Sequence, residues 1–256
     1  MKIAVVQSDV VAGDVRATLA AVECWLKQCA DVGLVVLPEM FATGFAVGDS
    51  RIAEMPDGPI LQWMQQTAKR LGAAVAGSVA VDVGDGCRNR HYFVFPDGAY
   101  RYYDKRHLFG FGGETQLYQG GNERMVVDYR GVRILLQTCY DLRFPVFSRN
   151  RGDYDVVLYV ASWPKSRIAA WDALLPARAI ENLCYVVACN RVGVAGRVEY
   201  DGHSCVIDYI GRTLLGTVSG EAGVAVAEID LEKLSAFRSK FPALDDADSF
   251  EITADR

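Results

Sequence analysis

Short, wholly apolar runs that stop at a proline or a polar residue are the strongest constraint on the fold of this 256-residue chain. Leu34-Val35-Val36-Leu37 is closed by Pro38, and Ile134-Leu135-Leu136 runs into Gln137-Thr138-Cys139. Ile3 to Val6 and Val156 to Val160 are of the same kind. A run with no polar face predicts a strand covered on both sides. Helical spacings lie between these runs. Asp14 is placed to cap a helix carrying Leu19, Val22, Leu26 and Cys29 on one face, and Gly33 is expected to end it. Asp57-Gly58-Pro59 opens a second helix with Leu61, Met64, Ala68 and Leu71 on one face, and Gly72 closes it.

Further along, Ala73 to Val81 reads as a strand. Pro96-Asp97-Gly98 is a turn signal between Tyr92–Phe95 and Tyr100–Tyr103, which predicts a hairpin. A short helix is expected after Pro145 and a longer one over 167–183. Strands are expected at 132–136, 185–188, 204–208, 212–216 and 224–229. Alternation of helices with buried strands, followed by hairpins, predicts an α/β layered fold with mixed sheets. No Pro/Gly/Ser-rich linker interrupts the chain, so residues 1–256 read as a single domain, with an acidic C-terminal arm from about residue 242.

Composition narrows the function classes. Hydrophobic residues make up 51% and charged residues 23%, which excludes disorder as a description of the whole chain. The net charge of -5 gives no global attraction to nucleic acid or to an anionic membrane. No run approaches the roughly 18 apolar residues of a membrane span, and Asp9 and Asp14 interrupt any signal-like start. A cytoplasmic protein without nucleic-acid or membrane partners is expected. Seven cysteines, with no C-x-x-C, and three histidines favour neither a disulfide framework nor a zinc site.

Ligands in open α/β sheets bind at the carboxyl ends of strands. Three strand-like segments end in reactive groups: Glu39 after Pro38, Lys105 after Tyr102-Tyr103-Asp104, and Cys139 at a turn before Pro145. Taken singly, each has an ordinary reading, as a solvated loop carboxylate, a basic surface turn and a buried apolar thiol. Their ordered occurrence is more informative. Pro38-Glu39, Asp104-Lys105-x-His107-Leu108-Phe109 and Cys139-Tyr140-Asp141-Leu142-Arg143-Phe144-Pro145 together resemble the nitrilase superfamily of carbon–nitrogen hydrolases. Ala177-Arg178-Ala179-x-Glu181-Asn182 and Gly202-His203-Ser204-x-Val206-Ile207-Asp208 fit the same pattern, and the resemblance runs from Lys2 to about Ile229. Glu39-Met40-Phe41-Ala42-Thr43-Gly44-Phe45 and Ala161-Ser162-Trp163-Pro164 are most similar to the bacterial ω-amidase-like branch.

The resemblance implies a four-layer α-β-β-α sandwich with two mixed sheets, and a homodimer or higher homo-oligomer. It implies a small-molecule amide as substrate, a 2-oxo acid amide such as 2-oxoglutaramate or 2-oxosuccinamate, hydrolysed to the dicarboxylic acid and ammonia. Cys139 is the implied nucleophile, Glu39 the general acid and base, and Lys105 the cation beside the developing oxyanion. The backbone N–H of Tyr140 is a second oxyanion donor, and Glu114 an auxiliary carboxylate that holds the lysine and the substrate, with an ordinary loop residue in a Gly-rich stretch as its alternative. Neither metal nor cofactor is required. Arg143 and Arg167 are the nearest candidates for a substrate carboxylate, each with the alternative of a structural ion pair, which is the favoured reading for Arg167. Phe41, Phe45 and Trp163 are candidate pocket walls, with core packing as the alternative for the phenylalanines. Arg178 and Glu181 are read as a structural pair at i,i+3, and His107 and His203 as packing or hydrogen-bonding residues.

Three other readings share much of this pattern. One is a superfamily amidohydrolase acting on a carbamoyl group or an ordinary aliphatic amide. Another is a true nitrilase, disfavoured because Tyr140 stands where that group typically carries Trp. The third is an inactive scaffold relative, disfavoured by the joint presence of Glu39, Lys105 and Cys139.

Overall fold

Side chains along the apolar runs are buried throughout and alternate in direction, which divides those of each run between two cores. The computed structural model describes residues 1–217 and 219–253. Its strands and helices, in chain order, are β1 (Lys2–Gln7), α1 (Val15–Leu26), β2 (Leu34–Val36), α2 (Pro59–Leu71), β3 (Ala74–Asp82), β4 (Cys87–Val94), β5 (Tyr100–Asp104), β6 (Val126–Tyr129), β7 (Val132–Thr138), α3 (Pro145–Ser148), β8 (Val156–Ala161), α4 (Ile168–Asn182), β9 (Tyr185–Asn190), β10 (Val192–Ala195), β11 (Val198–Asp201), β12 (Cys205–Ile207), β13 (Thr213–Gly216), β14 (Gly223–Glu228) and α5 (Leu231–Lys240). One sheet has the order β14-β1-β2-β3-β4-β5 and the other β13-β12-β9-β8-β7-β6. The centre of each is parallel, β1-β2-β3 and β7-β8-β9, and the outer pairings are antiparallel. Both sheets are therefore mixed.

Leu34 and Val36 of β2 face the second sheet, in one core with Ile3, Val5, Leu136, Leu158, Val160 and Val187. Val35, between them, faces the other way, into a core with Val22 and Leu26 of α1 and Leu61, Met64 and Ala68 of α2. On the far side, Leu135, Val157 and Tyr159 pack against Trp171, Leu175 and Ala179 of α4. These three cores define four layers, α-β-β-α. A fully buried Leu, such as Leu136, lies in the range where truncation to Ala costs about 2–5 kcal/mol.

Local signals set the helix ends. The Asp14 side chain accepts the Ala17 N–H at 2.8 Å and starts α1. Pro59 stands in the first turn of α2, and Gly72 ends it at φ +61°. The expected elements are present within one to three residues of their sequence positions, apart from the hairpin's first strand, which begins five residues earlier, and α1, which ends at Leu26 and not at Gly33. Four were not foreseen: β6, the β10–β11 hairpin and α5. The acidic stretch after α5 carries no helix or strand through residue 253, and Ile252 packs against the core between the sheets. The last three residues of the expected arm lie outside the described residues.

Candidate active site

The topology gathers the carboxyl ends of β2, β5, β7 and β8 at one edge of the sandwich. β5 runs antiparallel to β4, and β4 antiparallel to β3, so β5 points the same way as β2. Glu39 follows β2, Lys105 follows β5, Cys139 follows β7 and Ser162 follows β8. The loops after β2 and β8 are tied together. The Glu39 N–H donates to Ala161 O at 3.4 Å, and Ser162 Oγ donates to Glu39 O at 3.0 Å.

Glu39, Lys105 and Glu114 form a buried ionic cluster. Lys105 Nζ donates to Glu39 Oε1 at 2.9 Å and to Glu114 Oε2 at 2.8 Å, with all three side chains inaccessible to solvent. Asn89 on β4 closes it, its Nδ2 donating to Glu39 Oε1 at 2.8 Å and to Glu114 Oε1 at 2.9 Å. Both N–H groups of the amide are thereby turned to carboxylates. Its Oδ1 is left buried with no partner, a cost that the two charge-assisted bonds offset. The Phe109 N–H adds a donor to Glu114 Oε2 at 2.6 Å, and the Ser162 N–H one to Glu39 Oε2 at 2.8 Å. Burial alone would push the Lys105 ammonium down; Glu114 and Glu39 outweigh it and hold the group above the usual lysine range. Burial pushes the Glu114 carboxyl up, with Lys105 pulling against it. The cluster needs its cation to remain charged in a dry setting.

Cys139 stands at a sharp corner. Its φ is +46°, in the left-handed region, where a side chain costs roughly 1–2 kcal/mol. The corner is held from Asp141, whose carboxylate is fully buried. Asp141 Oδ2 accepts the Thr138 N–H at 2.9 Å and the Tyr103 hydroxyl at 2.8 Å. Its Oδ1 accepts the His107 N–H at 3.0 Å and lies 2.8 Å from His107 Nδ1. One carboxylate thus joins the nucleophile turn to the lysine loop. The Cys139 thiol is 8% exposed and shares a hydrogen bond with Glu39. Burial first, then the Glu39 carboxylate, pushes this thiol well above its ordinary range, while Lys105 pulls the other way. A neutral thiol beside a carboxylate is therefore the resting pair.

The thiol opens into a cavity of about 340 Å³. Glu39, Tyr140, Ser162, Trp163, Arg143 and Arg167 line it, with Phe45, Phe109 and Phe111 on one side and Ala195, Val198 and Tyr200 of the β10–β11 hairpin on another. Lys105 and Glu114 stand behind Glu39 rather than on the wall. Arg143 lies 5.0 Å from the Trp163 ring centroid. Arg167 lies 5.4 Å from that of Phe109 and 5.0 Å from that of Phe111. Among the described residues neither guanidinium has a carboxylate partner, so the ion pair expected for Arg167 is absent.

Phe41 does not line the cavity. It is fully buried in the core between the first sheet and its helices, 5.7 Å from the Trp63 ring. Phe45, three-dimensionally its alternative, faces the cavity instead. Arg178 Nη1 donates to Glu181 at 2.9 Å, as an i,i+3 pair should, and Arg178 Nη2 also donates to Leu142 O behind the nucleophile turn. His203 lies away from the thiol, 2.9 Å from Asp172. Asn89 and Tyr200 were not foreseen as parts of the site. Among the described residues no group of three or more His, Cys, Asp or Glu could hold a metal ion, and no helix is long and apolar enough to cross a membrane.

Comparison with known proteins places this geometry in a family. The carbon-nitrogen hydrolase family profile matches residues 2–239. The chain is 45% identical to the omega-amidase YafV of Yersinia enterocolitica, over 98% of each chain. It is 36% identical to the 2-oxoglutaramate amidase of Bacillus subtilis, over 86% of each. The crystal structure of XC1258 from Xanthomonas campestris, a CN-hydrolase superfamily protein with an arsenic adduct in its active site, superposes with a TM-score of 0.96 at 44% identity, over 99% of each chain. The chain belongs to the carbon–nitrogen hydrolase family, in its ω-amidase-like branch.

Proposed function

We propose that the enzyme hydrolyses the terminal amide of a small 2-oxo acid amide, 2-oxoglutaramate or 2-oxosuccinamate, to the dicarboxylic acid and ammonia through a thioester on Cys139. One observation carries the mechanism: a thiol at a left-handed corner shares a cavity with a carboxylate that is itself paired with a buried ammonium.

As Cys139 Sγ attacks the amide carbon, Glu39 takes the thiol proton and the carbonyl oxygen becomes an oxyanion. Lys105 has three N–H donors, of which two are engaged by Glu39 and Glu114, so the third serves the oxyanion. The Tyr140 N–H, in the first turn of the short helix that begins at Cys139, is the second donor. When the carbon–nitrogen bond breaks, Glu39 passes its proton to the leaving nitrogen and ammonia departs. Glu39 then takes a proton from water as the water oxygen attacks the thioester. Collapse breaks the carbon–sulfur bond, the acid leaves, and Glu39 returns the proton to sulfur. Glu114 keeps Lys105 charged and in place throughout. Arg143, on the face of Trp163, holds the substrate carboxylate.

The test is ammonia release from 2-oxoglutaramate, 2-oxosuccinamate, N-carbamoyl amino acids, simple aliphatic amides and nitriles. The 2-oxo acid amides are expected to have the highest kcat/KM. A carbamoyl compound or nitrile ahead of both would overturn the reading. On ordering within the cell and in solution, we propose a cytoplasmic enzyme that acts as a homo-oligomer, as the family resemblance implies; sedimentation of the purified chain as a monomer would remove the second part.

A further inference from the structure

Two half-buried guanidiniums with no carboxylate partner share the walls of one small cavity. Arg143 lies against the Trp163 ring, and Arg167 lies between Phe109 and Phe111. Aromatic faces can seat a cation in place without neutralising it. The two are mechanically linked, since Trp163 Nε1 donates to Arg167 O at 2.9 Å. The one carboxylate on the cavity wall, Glu39, is already engaged: Oε1 takes Lys105 and Asn89, and Oε2 takes the Ser162 N–H. The cavity lining therefore offers two guanidiniums without a carboxylate partner and no free carboxylate.

A single carboxylate needs one guanidinium fork. A second uncompensated fork calls for another acceptor beside that carboxylate, and it repels any cation there. We infer that Arg167 is a specificity-determining residue: together with Arg143 it reads the carboxylate and the adjacent 2-oxo oxygen, and it excludes the 2-ammonium group of the corresponding amino acid amides. A 2-oxo acid presents two neighbouring acceptors and no cation. Glutamine and asparagine present an ammonium at the same carbon, which would sit among two like charges with no free carboxylate in the cavity lining. This inference rests on the proposed hydrolysis of 2-oxo acid amides and names the residue that makes the choice.

The experiment compares 2-oxoglutaramate, glutamine and butyramide as substrates for the wild-type protein, Arg167→Gln and Arg167→Lys. Wild type should favour 2-oxoglutaramate over glutamine by about a hundredfold or more in kcat/KM, on the scale of site-enforced discrimination between polar groups. Arg167→Gln should cut that ratio by about tenfold or more, through a higher KM for 2-oxoglutaramate, with a much smaller change on butyramide. Arg167→Lys keeps the charge but not the fork, and should fall between the two. An equal loss on all three substrates, or an unchanged ratio, would overturn the inference while leaving the amidase reading intact. Wild type that ignores 2-oxoglutaramate yet turns over butyramide would overturn both.

Discussion

Lys105 Nζ lies 2.9 Å from Glu39 Oε1, with both side chains wholly out of solvent. The pairing sets a buried ammonium against the carboxylate that faces Cys139, in position to receive the thiol proton. Burial first, and then the Glu39 carboxylate, hold the thiol well above its ordinary range.

Glu39→Gln separates these two effects. Removing the negative neighbour should lower the Cys139 pKa, because Glu39 raises it both through its charge and through its hydrogen bond. Alkylation of Cys139 by iodoacetamide at pH 7 should therefore speed up, while ammonia release falls by about 10²–10⁴, the usual worth of a general acid–base group. Slower alkylation with retained turnover would contradict this.

Lys105→Met leaves Glu39 and Glu114 buried without a cation. Breaking a buried pair in this way costs about 3–5 kcal/mol. The Glu114 carboxyl is already raised by burial and loses the group that opposes the rise. A carboxyl whose folded pKa exceeds its unfolded value contributes its stability below about pH 4.3 and loses it as pH rises through the folded value. Thermal melts should show the deficit relative to wild type growing from pH 5 to pH 8.

His91 supplies a second, independent pH dependence. It is fully buried on β4, with Nδ1 3.1 Å from Gln137 O on the strand that delivers Cys139. Burial pushes its pKa down to about 3. A depressed folded pKa gives stability that is present above the unfolded value, about 6.5, and lost as pH falls toward the folded one. The loss is on the order of a few kcal/mol across that window. His91→Gln removes the titration, so its unfolding free energy should fall less between pH 7 and pH 4 than that of wild type.

Arg143→Ala should raise KM for 2-oxoglutaramate by about tenfold or more, as expected for the loss of a charged hydrogen bond, and leave KM for butyramide unchanged. Steady-state kinetics on the two amides check it. An equal rise on both would take Arg143 out of carboxylate recognition.

Much of the site was legible because its members end apolar runs. Glu39 follows Leu34–Leu37 and Cys139 follows Ile134–Leu136, and the alternation of β2 side chains between two cores shows why such a run has no polar face. Asn89 was not legible. It lies among Arg88, Arg90 and His91, where charge disguises a strand of which all but one residue is buried. That burial comes from the ion pairs and hydrogen bonds the fold supplies, such as Arg90 with Asp104 at 2.7 Å. The β10–β11 hairpin was missed because Gly193, Gly196, Arg197 and Glu199 break any periodicity, although it contributes Ala195, Val198 and Tyr200 to the cavity. Between Phe41 and Phe45 the chain turns sharply at Gly44, φ +73°, and one ring lies in the core while the other faces the cavity. No local pattern distinguishes the two.

The central claim is covalent catalysis by one thiol among seven. Cys139→Ala should fold as wild type by circular dichroism and release no ammonia from 2-oxoglutaramate above background. Wild type quenched during turnover should carry the acyl group on the peptide that contains Cys139. Ammonia release by Cys139→Ala at a rate near that of wild type, or an acyl group on another cysteine, would contradict it.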